Sequence, residues 1–99
     1  MNLSGVRYFL AICETQGFGT AAKACGVSQP TVTGAVRRLE QIVGGKLFAR
    51  SKPVKLTPLG VKLRPAFQDL QSAADRVRLK SRRPASALAR SETLTRKKQ

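Results

Sequence analysis

The stretch Gly17–Glu40, GFGTAAKACGVSQPTVTGAVRRLE, decides the fold of this chain. It has the layout of a helix-turn-helix. A short Ala-rich helix over Thr20–Cys25 is expected to end at Gly26, with Val27 as a buried turn residue. Ser28 then caps a longer helix that carries Pro30 in its first turn, where a missing N–H costs nothing. Along that helix Val32, Val36, Leu39 and Val43 recur at i, i+4, i+7 and i+11 and form one apolar stripe. The opposite face presents Gln29, Pro30, Thr33, Gly34, Arg37 and Gln41, small and polar at its start and basic further along. A helix anchored by one face, with a small, hydrogen-bonding, cationic surface on the other, suits the major groove of DNA.

Upstream, Leu3, Val6, Phe9, Leu10 and Cys13 at helical spacing predict a first helix over Leu3–Thr15. Gly17 is expected to stop it, and Phe18 to staple the entry to the next helix. Downstream, Gly44-Gly45 supplies a left-handed cap after Val43. The segment KLFARSKPVKL that follows reads as a β-hairpin, two short strands around a turn at Ser51–Pro53. Leu47 and Phe48 would point inward, while Lys46, Arg50, Lys52 and Lys55 leave a basic rim. Such a hairpin is a wing, set to touch phosphates beside the helix.

Thr57-Pro58 restarts helix, with an N-cap hydroxyl followed by proline at the first helical position. Leu63, Phe67, Leu70, Ala74 and Val77 then follow at spacings of 4, 3, 4 and 3, a heptad seam for a dimer, with Pro65 expected to kink the helix. The spacing alone leaves two partners open for that seam: a second helix, or the chain's own domain. After Lys80 the sequence SRRPASALARSETLTRKKQ has no apolar period and sets Arg82, Arg83, Arg90, Arg96, Lys97 and Lys98 against Glu92. The expectation is a disordered basic tail. The organisation predicted is therefore a mainly α winged helix-turn-helix of three helices and a β-hairpin wing over residues 1–60. A long dimerising linker helix follows over 61–80, and the tail over 81–99.

Composition points the same way. At 99 residues the chain is one small domain with appendages. Only 5% of residues are aromatic and Trp is absent, which is poor material for a base-stacking platform on single strands or RNA. Lys+Arg number 19 against 5 Asp+Glu, a net charge of +14, which favours a polyanion partner, nucleic acid ahead of a membrane surface. The N-terminus mixes Arg7 and Glu14 into its apolar residues, so neither a signal peptide nor a transmembrane span is expected. The expected location is the cytoplasm, on the nucleoid. With no His and two Cys, a zinc site cannot be completed within one chain. Cys13 and Cys25 are expected as reduced core residues, and no cofactor is implied. The acids Glu14, Glu40, Asp69, Asp75 and Glu92 are scattered, and none is paired in a way that would tune a catalytic pKa, so an enzyme is not expected. Glu40 is expected to pair with Arg37 or Arg7.

Four blocks in order, RYFLAICET, AAKACGVSQPTVT, RRLEQIVGGKLFAR and KLTPLG, give residues 1 to about 80 a resemblance to the N-terminal region of LysR-type transcriptional regulators. The resemblance implies a winged helix-turn-helix that binds double-stranded DNA in a sequence-specific way, followed by a linker helix that pairs with its twin in a homodimer. Carried over by position, Gln29, Pro30 and Thr33 fall where the family meets base edges and the adjacent backbone. Arg37 falls at a phosphate-facing position one turn on, and Arg50 on the wing. With Thr20, Ser28, Thr31, Gly34 and Arg38 from the helical part and Ser51 and Lys52 from the wing, these make up the candidate DNA-binding set. Two departures stand out. Gly34 occupies a place where the family often has a long polar side chain, and Gly19 takes the place of the usual Ser/Thr cap of the second helix. No small-molecule effector pocket is expected within these residues. The alternative function is a non-specific or interfering DNA binder that pairs with full-length relatives through Leu63–Val77.

Overall fold

The computed structural model describes residues 3–49 and 51–81. Arg50 and the expected basic tail from residue 82 onward lie outside those residues. The element order is α1 (Leu3–Thr15), α2 (Phe18–Cys25), α3 (Gln29–Val43), β1 (Phe48–Ala49), β2 (Lys55–Leu56) and α4 (Pro58–Ser81). The fold is a winged helix-turn-helix with a long C-terminal helix. β1 and β2 pair antiparallel, with Phe48 opposite Leu56 and Ala49 opposite Lys55. The wing is thus two short strands joined by a wide turn that contains a cis Lys52–Pro53 peptide.

Local chemistry accounts for most element ends. Ser28 Oγ accepts the Thr31 N–H at 3.3 Å and so satisfies one of the open donors at the start of α3. Thr57 Oγ1 does the same for Gly60 N–H at 3.1 Å, with Pro58 at the first position of α4. At the end of α2, Gly26 takes φ 70°, ψ 32°, a left-handed turn that a Cβ would disfavour. Gly26 N–H then reaches Lys23 O at 3.2 Å and Val27 N–H reaches Ala22 O at 3.0 Å, the two bonds of a Schellman closure.

The passage from α1 to α2 differs from expectation. Gln16, not Gly17, is the left-handed residue that ends α1, at φ 62°, and its N–H bonds Ile12 O at 2.7 Å. Gly17 is instead the extended N-cap of α2, and the helix begins at Phe18 rather than Thr20. Gly19 therefore lies inside the first turn and is not the cap residue. The capping hydroxyl is missing at position 17, and Thr20 Oγ1 turns back to donate to Gly17 O at 3.1 Å. Helical patterning alone missed this because residues 17–19 offer no apolar period.

The core forms two clusters around α1. Tyr8, Ile12, Ala21, Ala22, Val32, Ala35 and Val36 join α1, α2 and α3. Val6, Phe9, Leu39, Leu47 and Phe67 join α1, α3, the wing base and α4. Phe18, Phe48, Phe9 and Phe67, all four phenylalanines of the chain, stack in series. Their ring centroids are 5.6 Å apart for Phe18–Phe48, 5.2 Å for Phe48–Phe9 and 4.9 Å for Phe9–Phe67. Tilted and edge-on pairs at these separations are favourable beyond their buried area. Phe18 is thus no local staple. It reaches the wing.

The predicted seam divides. Phe67 is 3% exposed inside the domain core, and Leu63 packs against the same cluster. Leu70 and Val77, at 39% and 67% exposed, stay open on the same helix, with Ala74 half-buried between them. The first half of α4 is used up by its own domain, because Phe9 offers an aromatic partner that a one-dimensional repeat does not reveal. Gly60 marks the close approach. A Cβ there would run into the backbone carbonyl of Leu47. α4 continues through Pro65. The cysteines are free and only half-buried, each at the edge of a cluster rather than inside it. Burial pushes the Cys13 thiol up, against the opposing pull of Arg64, which leaves it protonated and a poor nucleophile at neutral pH.

Candidate nucleic-acid interface

α3 is held by Val32, Ala35, Val36 and Leu39, all buried, so its orientation is set from beneath and its other side faces solvent. Between that side and the wing runs an open groove of about 810 Å³. Gln29, Thr33 and Arg37 line it from α3, and Ala49, Ser51 and Lys52 from the wing. Phe18, Val36, Phe48 and Val54 contribute apolar surface beneath. The fold therefore brings five of the candidate residues, Gln29, Thr33, Arg37, Ser51 and Lys52, to one groove, although the two walls come from separate elements of the chain.

The remaining candidates among the described residues lie outside the groove lining. Pro30, Gly34 and Arg38 belong to the parts of α3 outside the groove lining. Ser28 and Thr31 form the helix start, their hydroxyl oxygens 2.8 Å apart. Thr20 is exposed in the first turn of α2. Gln29 rests against that turn, its Oε1 3.4 Å from where a Cβ on Gly19 would stand. The bare backbone at Gly19 leaves room for the Gln29 side chain there.

Glu40 departs from expectation. Neither Arg37 nor Arg7 is its partner. Its Oε2 accepts the Leu47 N–H at 2.7 Å, and its Oε1 stands 3.9 Å from Lys46 Nζ. Arg7 instead donates to Cys25 O at 3.1 Å, at the end of α2. The carboxylate thus ties the last turn of α3 to the base of the wing, at one end of the groove. Thr57 completes the tie: its N–H bonds Leu47 O at 2.9 Å and its hydroxyl donates to Lys46 O at 2.6 Å. This role was not legible as a helix-surface charge pair. The signal lay in the short Gly44-Gly45 connection, which returns the chain beneath the helix end.

Glu40→Ala should cost about 1–3 kcal/mol, since it strands a part-buried N–H, while Glu40→Gln, which keeps an acceptor, should lose less than half of that. Urea unfolding of the two variants checks this. Equal losses would mean that the Lys46 ion pair, not the Leu47 bond, carries the contact. With Lys46 open to solvent and its Nζ 3.9 Å from the carboxylate, that pair is expected to contribute little.

Residues 3–61 match the family model described as "Bacterial regulatory helix-turn-helix protein, lysR family". The chain belongs to the lysR family. It is 37% identical over 94 residues to the HTH-type transcriptional regulator TfdT of Cupriavidus pinatubonensis, covering 94% of this chain and 40% of that protein. It is 41% identical over 64 residues to the DNA-binding transcriptional dual regulator OxyR of Escherichia coli, covering 64% of this chain and 21% of that protein. The chain thus spans well under half the length of these relatives. Among solved structures it resembles BenM_DBD in complex with benA site 1 DNA, at 34% identity and TM-score 0.72, covering 84% of this chain and 100% of that one. Full-length OxyR C199D from Pseudomonas aeruginosa is similar at 38% identity and TM-score 0.75, over 82% of this chain and 28% of that chain. No helix among the described residues is long and apolar enough to cross a membrane.

Proposed function

We propose that this lysR-family chain regulates transcription by binding duplex DNA in a sequence-specific way, as a dimer that sets two copies of α3 in successive major grooves. The observation that carries this reading is the groove itself. One wall offers short hydrogen-bonding side chains on a buried-anchored helix, and the other a cationic wing placed for a phosphate backbone. Gln29 and Thr33 read base edges, Arg37 and Lys52 hold phosphates, and the exposed half of α4 pairs the two copies. Such a protein acts on the nucleoid, in the cytoplasm.

Arg37→Ala and Gln29→Ala separate positioning from reading. Arg37→Ala should weaken binding to every duplex alike and flatten the salt dependence by about one unit of slope. Gln29→Ala should cost about 1–3 kcal/mol on the preferred sequence and much less on random duplex. Fluorescence titrations at several salt concentrations, on selected and random duplexes, check both. If both variants lose affinity equally on the two kinds of duplex, base reading by this face is wrong and the chain binds DNA only through its charge.

A further inference from the structure

Arg38 is exposed and has no hydrogen bond or ion pair among the described residues. Its side chain nevertheless has a defined place. The guanidinium Nη1 lies 3.6 Å from the point that a Cβ on Gly34 would occupy. The side chain therefore runs back one turn toward the start of α3, the direction that helical side chains favour, and lies along the bare backbone at Gly34. Gly34 is one turn from Pro30 and Arg38, on the side of the helix opposite the buried Val32, Val36 and Leu39. Glycine is among the poorest residues for a helix interior, and α3 carries it on its exposed side, where nothing else crowds it. A Cβ there would meet Arg38 at ordinary contact distance, and a long side chain would take the space in which Arg38 lies.

We infer that Arg38 is a specificity-determining residue: laid over Gly34, its guanidinium donates paired hydrogen bonds to guanine O6 and N7 of one G·C pair facing the middle of α3. The inference rests on the major-groove reading above and assigns a base contact within it. Its chemistry is that of the planar fork, which matches the two guanine acceptors and which an ammonium cannot reproduce. Arg37 is a poor rival for this contact. It lines the wing groove beside Ser51 and Lys52, where a phosphate strand would run, while Arg38 lies outside that lining.

The test uses the full chain. Bound duplexes are selected from a random pool, and each base pair of the preferred site is then exchanged singly against wild type, Arg38→Lys, Gly34→Ala and Gly34→Gln. Arg38→Lys keeps the charge, so the salt slope should be unchanged, while discrimination for one G·C pair falls by about 5- to 150-fold. Gly34→Ala, whose Cβ would meet Arg38 at ordinary contact distance, should retain that discrimination. Gly34→Gln fills the space and should diminish it. Unchanged preferences at every position in Arg38→Lys would overturn the inference while leaving the major-groove reading intact, provided that Gln29→Ala still alters a preference. A wild-type site lacking any discriminated G·C pair would also overturn it. Binding that shows no sequence preference at all would overturn both.

Discussion

Leu70→Glu is expected to convert the chain to a monomer and to lower its affinity for a two-half-site duplex by about 10²- to 10⁴-fold, because a bivalent attachment becomes a single one. Leu70 is half open at 39% exposure and belongs to neither core cluster, so a charge there leaves the domain folded. Val77, one heptad on, continues the open apolar surface at 67% exposure along a helix of 24 residues, about 36 Å long. Among the described residues nothing covers that stripe. The seam available for pairing is nevertheless shorter than the heptad suggests, since Leu63 and Phe67 are already engaged with α1. The dimer should accordingly be of moderate strength. Sedimentation of wild type and variant at tens of micromolar, with titrations on one-half-site and two-half-site duplexes, measures the effect. Affinity for a single half-site should be unchanged. A wild-type monomer under those conditions, with equal DNA binding by Leu70→Glu, would show that α4 does not pair two copies.

Phe67→Ala should act in a different way, by unfolding the monomer. Phe67 closes the cluster that contains Val6, Phe9, Leu39 and Leu47, and its ring meets Phe9 edge-on at 4.9 Å. Removing a buried phenylalanine costs about 3–5 kcal/mol, from lost transfer free energy and from the cavity that remains. A small domain is stable by only about 5–15 kcal/mol, so the variant should lose a large part of its stability, with Tm falling by more than about 10 °C. Thermal melts at two protein concentrations tenfold apart distinguish core from seam. A loss that is the same at both concentrations places Phe67 in the monomer. A loss that shrinks at the higher concentration, or one below about 1 kcal/mol, would return Phe67 to the dimer interface.

These two residues, three positions apart, show where one-dimensional reading reaches its limit. Heptad spacing treats Phe67 and Leu70 alike, because periodicity records which face of a helix is apolar but not what meets it. The same holds at Glu40. On the surface of α3 it is one turn from Arg37, yet its partners are Leu47 N–H and Lys46, which the chain brings back beneath the helix end. Gly19 differs from expectation for a related reason. A cap is defined by the backbone geometry of a turn, and Gly17 took that place once Gln16 had closed α1.

By itself the sequence determined what depends on neighbours along the chain. The caps at Ser28 and Thr57, the left-handed closure at Gly26, the buried stripe of α3 and the short hairpin are all local consequences of residue type and spacing, and so is the placing of Gln29, Thr33 and Arg37 on the unburied side of α3. Tertiary structure decided everything that needed a second surface: the relay from Phe18 through Phe48 and Phe9 to Phe67, the tie of Glu40 to the wing, the joining of Gln29, Thr33 and Arg37 with Ser51 and Lys52 in one groove, and the division of α4 into a packed half and an open one. Local bonds are specified within a few residues, whereas packing pairs side chains from distant parts of the chain, and their identities alone do not state which will meet.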